Sequence, residues 1–414
     1  MEYRAIRDPL WKHIYLPEEL AATLTTPDFV RLSRIRQLGP TELVYPGAVH
    51  TRAGHSLGVY EIARRILERL EQRGADQWIT ATGRISWYAA ALFHDIGHFP
   101  YTHSLKELPL EEHEVLSGRI VLGDDIARCI SRSGGNPEQV AAIIDTTIPT
   151  TDTETLFYRR LLSGVLDPDK LDYLNRDAYY CGVPYGIQDT EFTLDQLQPH
   201  KERGIMLDSA AILSVENLLF SKYLMYRSVY WHRQVRIATA MMKKALYAAL
   251  SKNLVAPEEL YQQDDQGIHH LLQAIPQGGF PEIILAQGVA ERQLYKVVTE
   301  IKFDSENPFH RQLESLQRRH QAEEELAESL TVPATHVLID IPERISFESD
   351  LWICGEELPF SQSSTVFSSQ TVASFTGSLR KIRVAVRETG NHENTYKIIA
   401  RFFELNYNEP NSIC

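Results

Sequence analysis

The chain has 414 residues, 43% of them apolar and 23% charged, and its formal net charge at pH 7 is −13. This composition excludes a fibrous repeat and a disordered chain, and the length is sufficient for a globular protein with a large core. The negative charge argues against non-specific nucleic-acid binding, because a polyanion is repelled at long range. An anionic substrate would therefore need a local basic pocket.

The four cysteines, Cys129, Cys181, Cys354 and Cys414, are scattered and include no Cys-x-x-Cys pair, which is typical of a reducing compartment. The N-terminal residues contain no apolar signal core. No apolar run approaches the roughly 20 residues needed to cross a bilayer. We therefore predict a cytoplasmic protein without a membrane partner.

Between Thr26 and about Arg319, apolar residues recur mostly at helical spacing, which predicts a helical body. Thr26 suits the cap of a helix with Pro27 in its first turn, and Gly39 ends that helix. Later helices are predicted from about Gly54, from Arg84 through His94 until Gly97 and Pro100 interrupt it, and over about Ser209 to Leu250.

After Arg319 the pattern changes to a charged helix over Ala322 to Leu330, followed by two segments of period-two alternation. These segments, Thr335 to Ile341 and Leu379 to Val386, predict strands. We therefore predict a mainly α fold, with a helical domain over 1–330 and a small α+β domain over 331–414. Within the second strand, Arg383, Ala385 and Arg387 share one face. We interpret it as a solvated edge strand guarded by positive charge, rather than as a polyanion site.

Histidine and aspartate are concentrated at the end of the third predicted helix, where His94, Asp95, His98 and His103 fall within ten positions. Imidazole and carboxylate groups are good ligands for divalent metals. Consecutive helical residues diverge by about 100°. His94 and Asp95 therefore share an ion only if it lies beside a helix end and other ligands come from elsewhere.

Two other segments offer the missing ligands. His55 follows Gly54, and the stretch from Asp167 to Asp177 contains four aspartates with a lysine and an arginine. Taken singly, each histidine is better explained as a hydrogen-bonded, partly buried side chain, and the aspartates as a solvated helix face. Taken together, the segments predict a cation and an anion held side by side.

The ordered set of motifs is specific. It comprises Gln37-Leu38-Gly39, His50-x-Arg52-x-x-His55, His94-Asp95-x-x-His98-x-x-x-x-His103, His113-Glu114 and Asp167-x-Asp169-Lys170-x-Asp172-Tyr173-x-x-Arg176-Asp177. This order resembles the HD-domain superfamily of metal-dependent phosphohydrolases, and within it the deoxynucleoside triphosphate (dNTP) triphosphohydrolases. The resemblance covers roughly the first 240 residues. It implies an HD-domain helical core.

The resemblance also implies roles for individual residues. The metal ligands are His55, His94, Asp95 and Asp169. The phosphate contacts are Arg52, His98, Lys170 and Tyr173. The catalytic histidines and their partner are His103, His113 and Glu114, with which His98 is also grouped. Contacts to base and sugar are Gln37, Leu38, Asp177 and Tyr230, with Tyr230 where a 2′-hydroxyl would otherwise lie, and Lys222 reaches the phosphates or sugar.

The predicted function is hydrolysis of a dNTP to a deoxynucleoside and inorganic triphosphate, with a divalent cofactor (Mg, Mn, Fe, Ni or Zn) and a homo-oligomeric assembly. One alternative is an HD phosphohydrolase acting on a ribonucleotide, a cyclic nucleotide or a guanosine polyphosphate. Another is a module that senses nucleotides without turnover. A nucleic-acid partner bound by the basic strand from Arg380 to Arg387 is disfavoured by the net charge.

Overall fold

The computed structural model describes residues 2–345, 351–355, 358–388 and 392–408. Its α-helices are α1 (Glu18–Ala21), α2 (Pro27–Leu32), α3 (Arg52–Gln72), α4 (Ala81–Phe93), α5 (His113–Val121), α6 (Asp124–Arg132), α7 (Pro137–Ile144), α8 (Thr153–Leu162), α9 (Pro168–Cys181), α10 (Thr190–Leu194), α11 (Ile212–Met225), α12 (Arg233–Ser251), α13 (Pro257–Tyr261), α14 (Asp265–Gln273), α15 (Ile283–Ala290), α16 (Pro308–Gln312), α17 (Leu316–Leu330), α18 (Ser369–Leu379) and α19 (His392–Asn408). The mainly helical fold predicted from the sequence is confirmed.

Short strands form three small sheets. The strands are β1 (Tyr3–Asp8), β2 (Lys12–Pro17), β3 (Leu197–His200), β4 (Gly204–Asp208), β5 (Lys296–Lys302), β6 (Val337–Asp340), β7 (Trp352–Cys354), β8 (Leu358–Pro359) and β9 (Lys381–Val386). β1 and β2 form an antiparallel hairpin, and the other two sheets have the strand orders β3-β4-β7-β8 and β5-β9-β6. The sequence analysis did not predict the hairpin or the sheet that contains β3 and β4.

Three helix ends position the site. α3 begins after Thr51, whose side chain accepts from the Gly54 N–H, so that its first turn carries Arg52 and His55. α9 begins after Asp167, which caps the Lys170 N–H at 2.7 Å. α4 ends at Phe93, and residues 94 and 95 therefore follow at its C-terminal end. α3 packs against both α4 and α9, which brings the three ends together.

The prediction of one long helix from Ser209 to Leu250 is wrong. α11 ends at Met225, a π-helical turn covers Tyr226–Tyr230, and α12 begins at Arg233. Because no glycine or proline lies at this break, the sequence contains no helix-ending residue that would mark it. It is stabilised by tertiary contacts, including a hydrogen bond from the Tyr45 hydroxyl to the Ser228 carbonyl at 2.8 Å.

The interpretation of the C-terminal strand as an edge strand is also wrong. β9 is the central strand of its sheet, between β5 and β6, and Arg383 is buried. Its guanidinium lies 3.0 Å from Glu300 on β5 and 3.4 Å from Asp340 on β6. Strand neighbours come from distant segments, so a single strand's pattern does not reveal them. The boundary at 330 stays a prediction, although β5 precedes it and β9 follows it.

Among the described residues, none of the helices combines the length and apolar character that a membrane span requires. Three thiols, those of Cys129, Cys181 and Cys354, are free of disulfides. Cys414 lies outside the described residues.

Candidate active site

Four side chains predicted as metal ligands lie together at the three helix ends. His55 Nε2 is 2.9 Å from Asp169 Oδ1, and His94 Nε2 is 3.4 Å from Asp95 Oδ1. His94 Nε2 is 3.9 Å from Asp169 Oδ1, and His55 Nε2 is 3.9 Å from Asp95 Oδ2. Ligands about 2.1 Å from one ion lie about 3.0 to 3.4 Å apart at octahedral or tetrahedral angles. The separations therefore fit a shared divalent ion after small adjustments.

The buried nitrogens of this cluster support the same interpretation. His55 Nε2 and His94 Nε2 have no hydrogen-bond partner, although carboxylate oxygens lie nearby. A buried polar atom without a partner is costly, and native proteins rarely retain one without a reason. The donor set of two imidazoles and two carboxylates suits a divalent transition metal or, with added waters, Mg²⁺. The residues present therefore fit the divalent cofactor predicted from the sequence.

Asp172 orients one of these imidazoles. Its carboxylate lies 2.8 Å from His55 Nδ1, which leaves Nε2 facing the other ligands. The carboxylate also accepts from Trp11 Nε1 at 2.5 Å and from Arg176 Nε at 2.8 Å. Arg176 in turn pairs with Asp8 at 2.9 Å. Such a carboxylate behind a ligating histidine fixes its tautomer and orientation.

The charges around His55 shift the pKa values of both partners in the metal-free site. Burial alone would lower the pKa of His55, but the neighbouring Asp169 and Asp172 carboxylates outweigh it and raise that pKa to about 10. Burial opposes ionisation of Asp172, yet Arg176 and His55 hold its pKa well below the usual value. Asp172 therefore remains a carboxylate, as its orienting role requires.

Gly58 leaves the space that this buried network occupies. A Cβ at Gly58 would lie 1.9 Å from Asp172 Oδ1 and 2.4 Å from Arg176 Nη2, whereas one at Gly54 would meet Arg176 Nη1 only at 3.9 Å. We expect Gly58→Ala to lower stability by about 1–3 kcal/mol and to weaken metal binding. Gly54→Ala in the same helix should be neutral or stabilising by up to about 1 kcal/mol. Thermal denaturation and metal titration of the two variants test this; equal behaviour of both would contradict it.

A second group of imidazoles surrounds the other side of Asp95. His98 Nε2 lies 3.0 Å and His113 Nε2 3.8 Å from Asp95 Oδ1. The rings of His98 and His113 stack with centroids 3.9 Å apart, and His103 lies edge-on to both. Glu114 Oε2 is 3.1 Å from His113 Nδ1. The structure thus brings together the four residues predicted to act as acid, base or partner.

The turn after α4 explains how α5 reaches this group. Ser117 donates to the His94 carbonyl at 2.8 Å and accepts from the Gly97 N–H at 2.9 Å. A Cβ at Gly97 would lie 2.4 Å from the His113 carbonyl, so the close approach of the two segments requires glycine. Arg31 on α2 binds the carbonyls of Ile96 and His98 from the opposite side.

Two cationic side chains border the metal cluster. Arg52 Nη1 lies 2.6 Å from Asp95 Oδ2, and the buried Nε of Arg52 has no hydrogen-bond partner. Lys170 Nζ contacts Asp167 Oδ2 at 2.5 Å and the Gly164 carbonyl at 3.0 Å. Each of these two cations is therefore already paired with a carboxylate at the edge of the cluster.

A third group begins two helical turns further along α9. The Tyr230 hydroxyl donates to Asp177 Oδ2 at 2.6 Å, and His50 Nε2 lies 2.8 Å from Asp177 Oδ1. Burial raises the pKa of Tyr173, and the neighbouring Tyr226, Asp169, Asp167 and Asp177 raise it further. Asp169, Tyr173 and Asp177 recur every four residues and therefore share one helix face.

The remaining predicted contacts occupy distinct positions. Gln37 is joined to the third group through its N–H, which donates to the His50 carbonyl at 2.9 Å, and its buried Oε1 has no partner. Leu38 is half-buried against the main core. Lys222 is buried on α11, ahead of Tyr230.

Several residues that build the site were not predicted. They are Arg31, Asp8 and Trp11; His50, Asp172 and Arg176 lie in the predicted motifs but were not assigned a role. The one available signal was the spacing of Asp169 and Asp172, because residues three apart are neighbours on a helix.

Comparison with known proteins agrees with this arrangement. Residues 52–164 match the HD domain, and residues 189–367 match the HD associated region. The chain is therefore an HD-domain protein, and its cluster is a divalent-metal site of that class. It contains an HD domain followed by an HD associated region, and it is similar to a protein described as a dNTP triphosphohydrolase homolog.

Three relatives match more than half of this chain. An uncharacterized protein of Bacillus subtilis is 37% identical over 60% of this chain and 56% of its own length. An uncharacterized protein of Methanocaldococcus jannaschii is 32% identical over 74% and 62%. The deoxynucleoside triphosphate triphosphohydrolase SAMHD1 homolog of Dictyostelium discoideum is 26% identical over 72% and 60%. The chain thus spans about three fifths of the length of these relatives.

Two solved structures share the fold. A hypothetical protein from Aquifex aeolicus has a TM-score of 0.73, 23% identity and coverage of 96% of this chain and 100% of its own. A phosphohydrolase from Bacteroides thetaiotaomicron has a TM-score of 0.71, 23% identity and coverage of 93% and 100%. At this identity the likeness concerns the fold alone.

Proposed function

We propose that this protein is a metal-dependent dNTP triphosphohydrolase, which converts a dNTP and water to a deoxynucleoside and inorganic triphosphate. The observation that carries the proposal is the stripe on α9 of Asp169, Tyr173 and Asp177. Eight residues of helix span about 12 Å, a distance that the phosphate, sugar and base of one nucleotide can cover. The stripe has metal ligands at one end and a Tyr230–Asp177 pair at the other.

The cationic side chains account for attraction of the polyphosphate. Arg52 is preorganised by Asp95, and its unpartnered Nε supplies a further N–H for a phosphate oxygen. Lys170 adds a second positive charge beside the cluster. In a partly buried cleft such charges interact more strongly with phosphate than they would in water. Because both are paired with carboxylates, they would offset the repulsion expected from the net charge of −13 only together with a bound divalent ion.

The proposed metal ligands are His55, His94, Asp95 and Asp169. When bound there, a divalent ion neutralises phosphoryl charge and acidifies water. The remaining chemistry falls to the chain's own groups. Attack at the α-phosphorus expels the 5′ oxygen, which requires a proton.

His103 and His113 are the proposed proton donors. Burial, followed by the nearby charges of His103 and Arg52, lowers the pKa of the His113 imidazole. The phosphates of a bound nucleotide oppose the charge of Arg52, which favours the protonated imidazole. His103 keeps an exposed face toward solvent, whereas His113 is buried and held by Glu114. We assign Glu114 the role of orienting His113.

Tyr230 is the proposed discriminator between deoxyribose and ribose. Its hydroxyl is fixed by Asp177, and Tyr226 packs edge-on to its ring at 5.0 Å. A fixed aromatic ring excludes a 2′-hydroxyl sterically, so we expect Tyr230→Ala to reduce the dNTP-over-NTP preference in kcat/KM by at least about tenfold. The control is Tyr223→Ala on α11, whose ring packs against Phe375 instead. An unchanged preference in Tyr230→Ala would contradict the assignment.

The test of the proposed function is a substrate panel. Metal-loaded protein is incubated with each of the four dNTPs, the four NTPs, cyclic nucleotides and guanosine polyphosphates, and the organic products are separated chromatographically. The proposal predicts deoxynucleosides from dNTPs. Turnover confined to any other class would support the alternative HD phosphohydrolases, and the absence of turnover with every metal would support a sensing module.

A second cleft favours the sensing alternative, or a sensing role beside catalysis. It is lined by Arg233, Arg292 and Lys296, together with Tyr295 and apolar side chains. Arg233 opens α12 only three residues after Tyr230, so an anion held there would contact the segment that carries the proposed sugar discriminator. We also propose that the protein is a homo-oligomer located in the cytoplasm, as expected from the sequence.

A further inference from the structure

A series of buried ion pairs begins at the turn that carries His103. Glu107, two residues after the 3-10 turn Thr102–Leu105, lies 2.5 Å from Lys243 Nζ through Oε2. The guanidinium of Arg319 donates to both oxygens of the same carboxylate, at 2.8 and 3.2 Å. The Lys243 and Arg319 side chains are each only 5% exposed.

The series continues into the C-terminal sheet. Lys243 on α12 also contacts Glu343 at 3.0 Å, and Glu343 lies 3.4 Å from Arg236. Arg236 pairs with Asp340 on β6 at 2.6 Å, and Asp340 lies 3.4 Å from Arg383 on β9. Ion pairs therefore link the His103 turn to α12, α17 and the sheet that contains β9.

Locally, the turn is held by short-range hydrogen bonds: the Phe99 N–H donates to Thr102 Oγ1, and the Thr102 hydroxyl donates to the Phe99 carbonyl. Its N–H groups at Thr102, Ser104 and Leu108 donate to carbonyls only three residues back. Tyr101, just before it, adopts φ 65°, a left-handed conformation that is unfavourable for a residue other than glycine. Such a conformation persists only when surrounding contacts enforce it. Leu105 provides apolar contact with the core that contains α12, and Glu107 provides the charged anchor.

We propose that Glu107 is a positioning residue for the proposed hydrolysis: its ion pairs with Lys243 and Arg319 fix the turn so that His103 faces His98 and His113. The inference rests on the proposed function, because it assigns the turn's geometry to that reaction. It also makes Lys243 on α12 and Arg319 on α17 positioning residues for the same turn.

Glu107 is held by ion pairs rather than by apolar packing, and this favours a role in orienting the turn over a role in stabilising the fold. A buried ion pair adds little net stability compared with well-packed apolar residues of similar volume. A carboxylate bound at both oxygens by one guanidinium, however, has a defined orientation. The structure contains a comparison pair one residue along α12. Lys244 is similarly buried and bonds Glu323 at 2.7 Å and the Val337 carbonyl at 2.9 Å, away from the His103 turn.

The experiment compares Glu107→Gln and Lys243→Met with the control Lys244→Met in the full chain. We expect the first two variants to lower kcat by at least about tenfold, with KM within about threefold and metal content unchanged. Lys244→Met should lower the melting temperature without changing kcat more than about twofold. Lys243→Arg should restore kcat, because it keeps the charge that Glu107 requires.

Hydrogen exchange of residues 99–112 supplies a readout that is independent of activity. Exchange should accelerate in Glu107→Gln and Lys243→Met but not in Lys244→Met. The proposal would be overturned if Glu107→Gln kept the wild-type kcat and the wild-type exchange rate. It would also be overturned if Lys244→Met lost as much kcat as Glu107→Gln. If the wild-type protein hydrolyses no dNTP, the proposed function fails, while the exchange comparison still decides whether Glu107 fixes the turn.

Discussion

His94→Ala is expected to abolish both metal binding and hydrolysis. His94 Nε2 has no protein hydrogen-bond partner and lies within 3.9 Å of two carboxylates, and its Nδ1 is bonded to the Ala91 carbonyl at 2.9 Å. The ring is therefore fixed with its free nitrogen toward the cluster. Loss of a metal that stabilises phosphoryl charge by several kcal/mol should lower kcat by at least about a thousandfold.

The measurement is metal content by mass spectrometry together with kcat for the best dNTP. The control is His270→Ala, which removes an exposed histidine on α14 and should retain both properties. A His94→Ala protein that keeps its metal and more than about a tenth of wild-type kcat would exclude this nitrogen as a ligand.

Asp172→Asn is expected to have the second largest effect, although Asp172 contacts no substrate in the proposal. The substitution keeps the side chain's shape but removes the charge that binds His55 and Arg176. Removing one partner of a buried ion pair costs about 3–5 kcal/mol, because the other charge is left uncompensated. Asp8 still pairs with Arg176 and should reduce that loss.

Loss of the carboxylate behind a ligating histidine lowers metal affinity by about 10–100-fold in other sites. Chelator competition with folded Asp172→Asn should show a decrease of this size, and thermal unfolding should show the lower stability. Asp145→Asn is the matched control. Asp145 is also buried, but its Oδ1 accepts from Thr147, outside the site. If Asp172→Asn bound the metal as tightly as the wild-type protein does, Asp172 would not have the proposed orienting role.

The ends of α9 carry chemical signals that can be read in the sequence, although no helix was predicted there. Asp167 with Pro168 begins α9, and Gly182 in the left-handed conformation ends it. These local signals place Asp169 in the first turn of the helix. The helical repeat then places Tyr173 and Asp177 on the same face as Asp169.

The supporting network was not readable, because its contacts join segments far apart in the chain. Trp11 binds Asp172 across 161 positions, and Arg31 binds the His98 carbonyl across 67. Neither contact follows from spacing or propensity. The same limit explains β9, whose neighbours β5 and β6 lie in two separate earlier segments.

The helix break near Tyr230 shows how tertiary contacts override local pattern. From Ser209 onward the apolar spacing continues, yet the π-helical turn Tyr226–Tyr230 reorients the chain. The turn allows the Tyr230 hydroxyl to reach Asp177, which is the contact on which the proposed sugar selectivity depends. A π-helical turn of this kind frequently occurs at functional sites.

The central claim is cleavage at the α-phosphorus of a dNTP, and the identity of the inorganic product tests it most directly. The measurement is ³¹P NMR of a reaction of metal-loaded protein with its best dNTP. The account predicts inorganic triphosphate in a one-to-one ratio with the deoxynucleoside. Pyrophosphate or orthophosphate as the only inorganic product would contradict it.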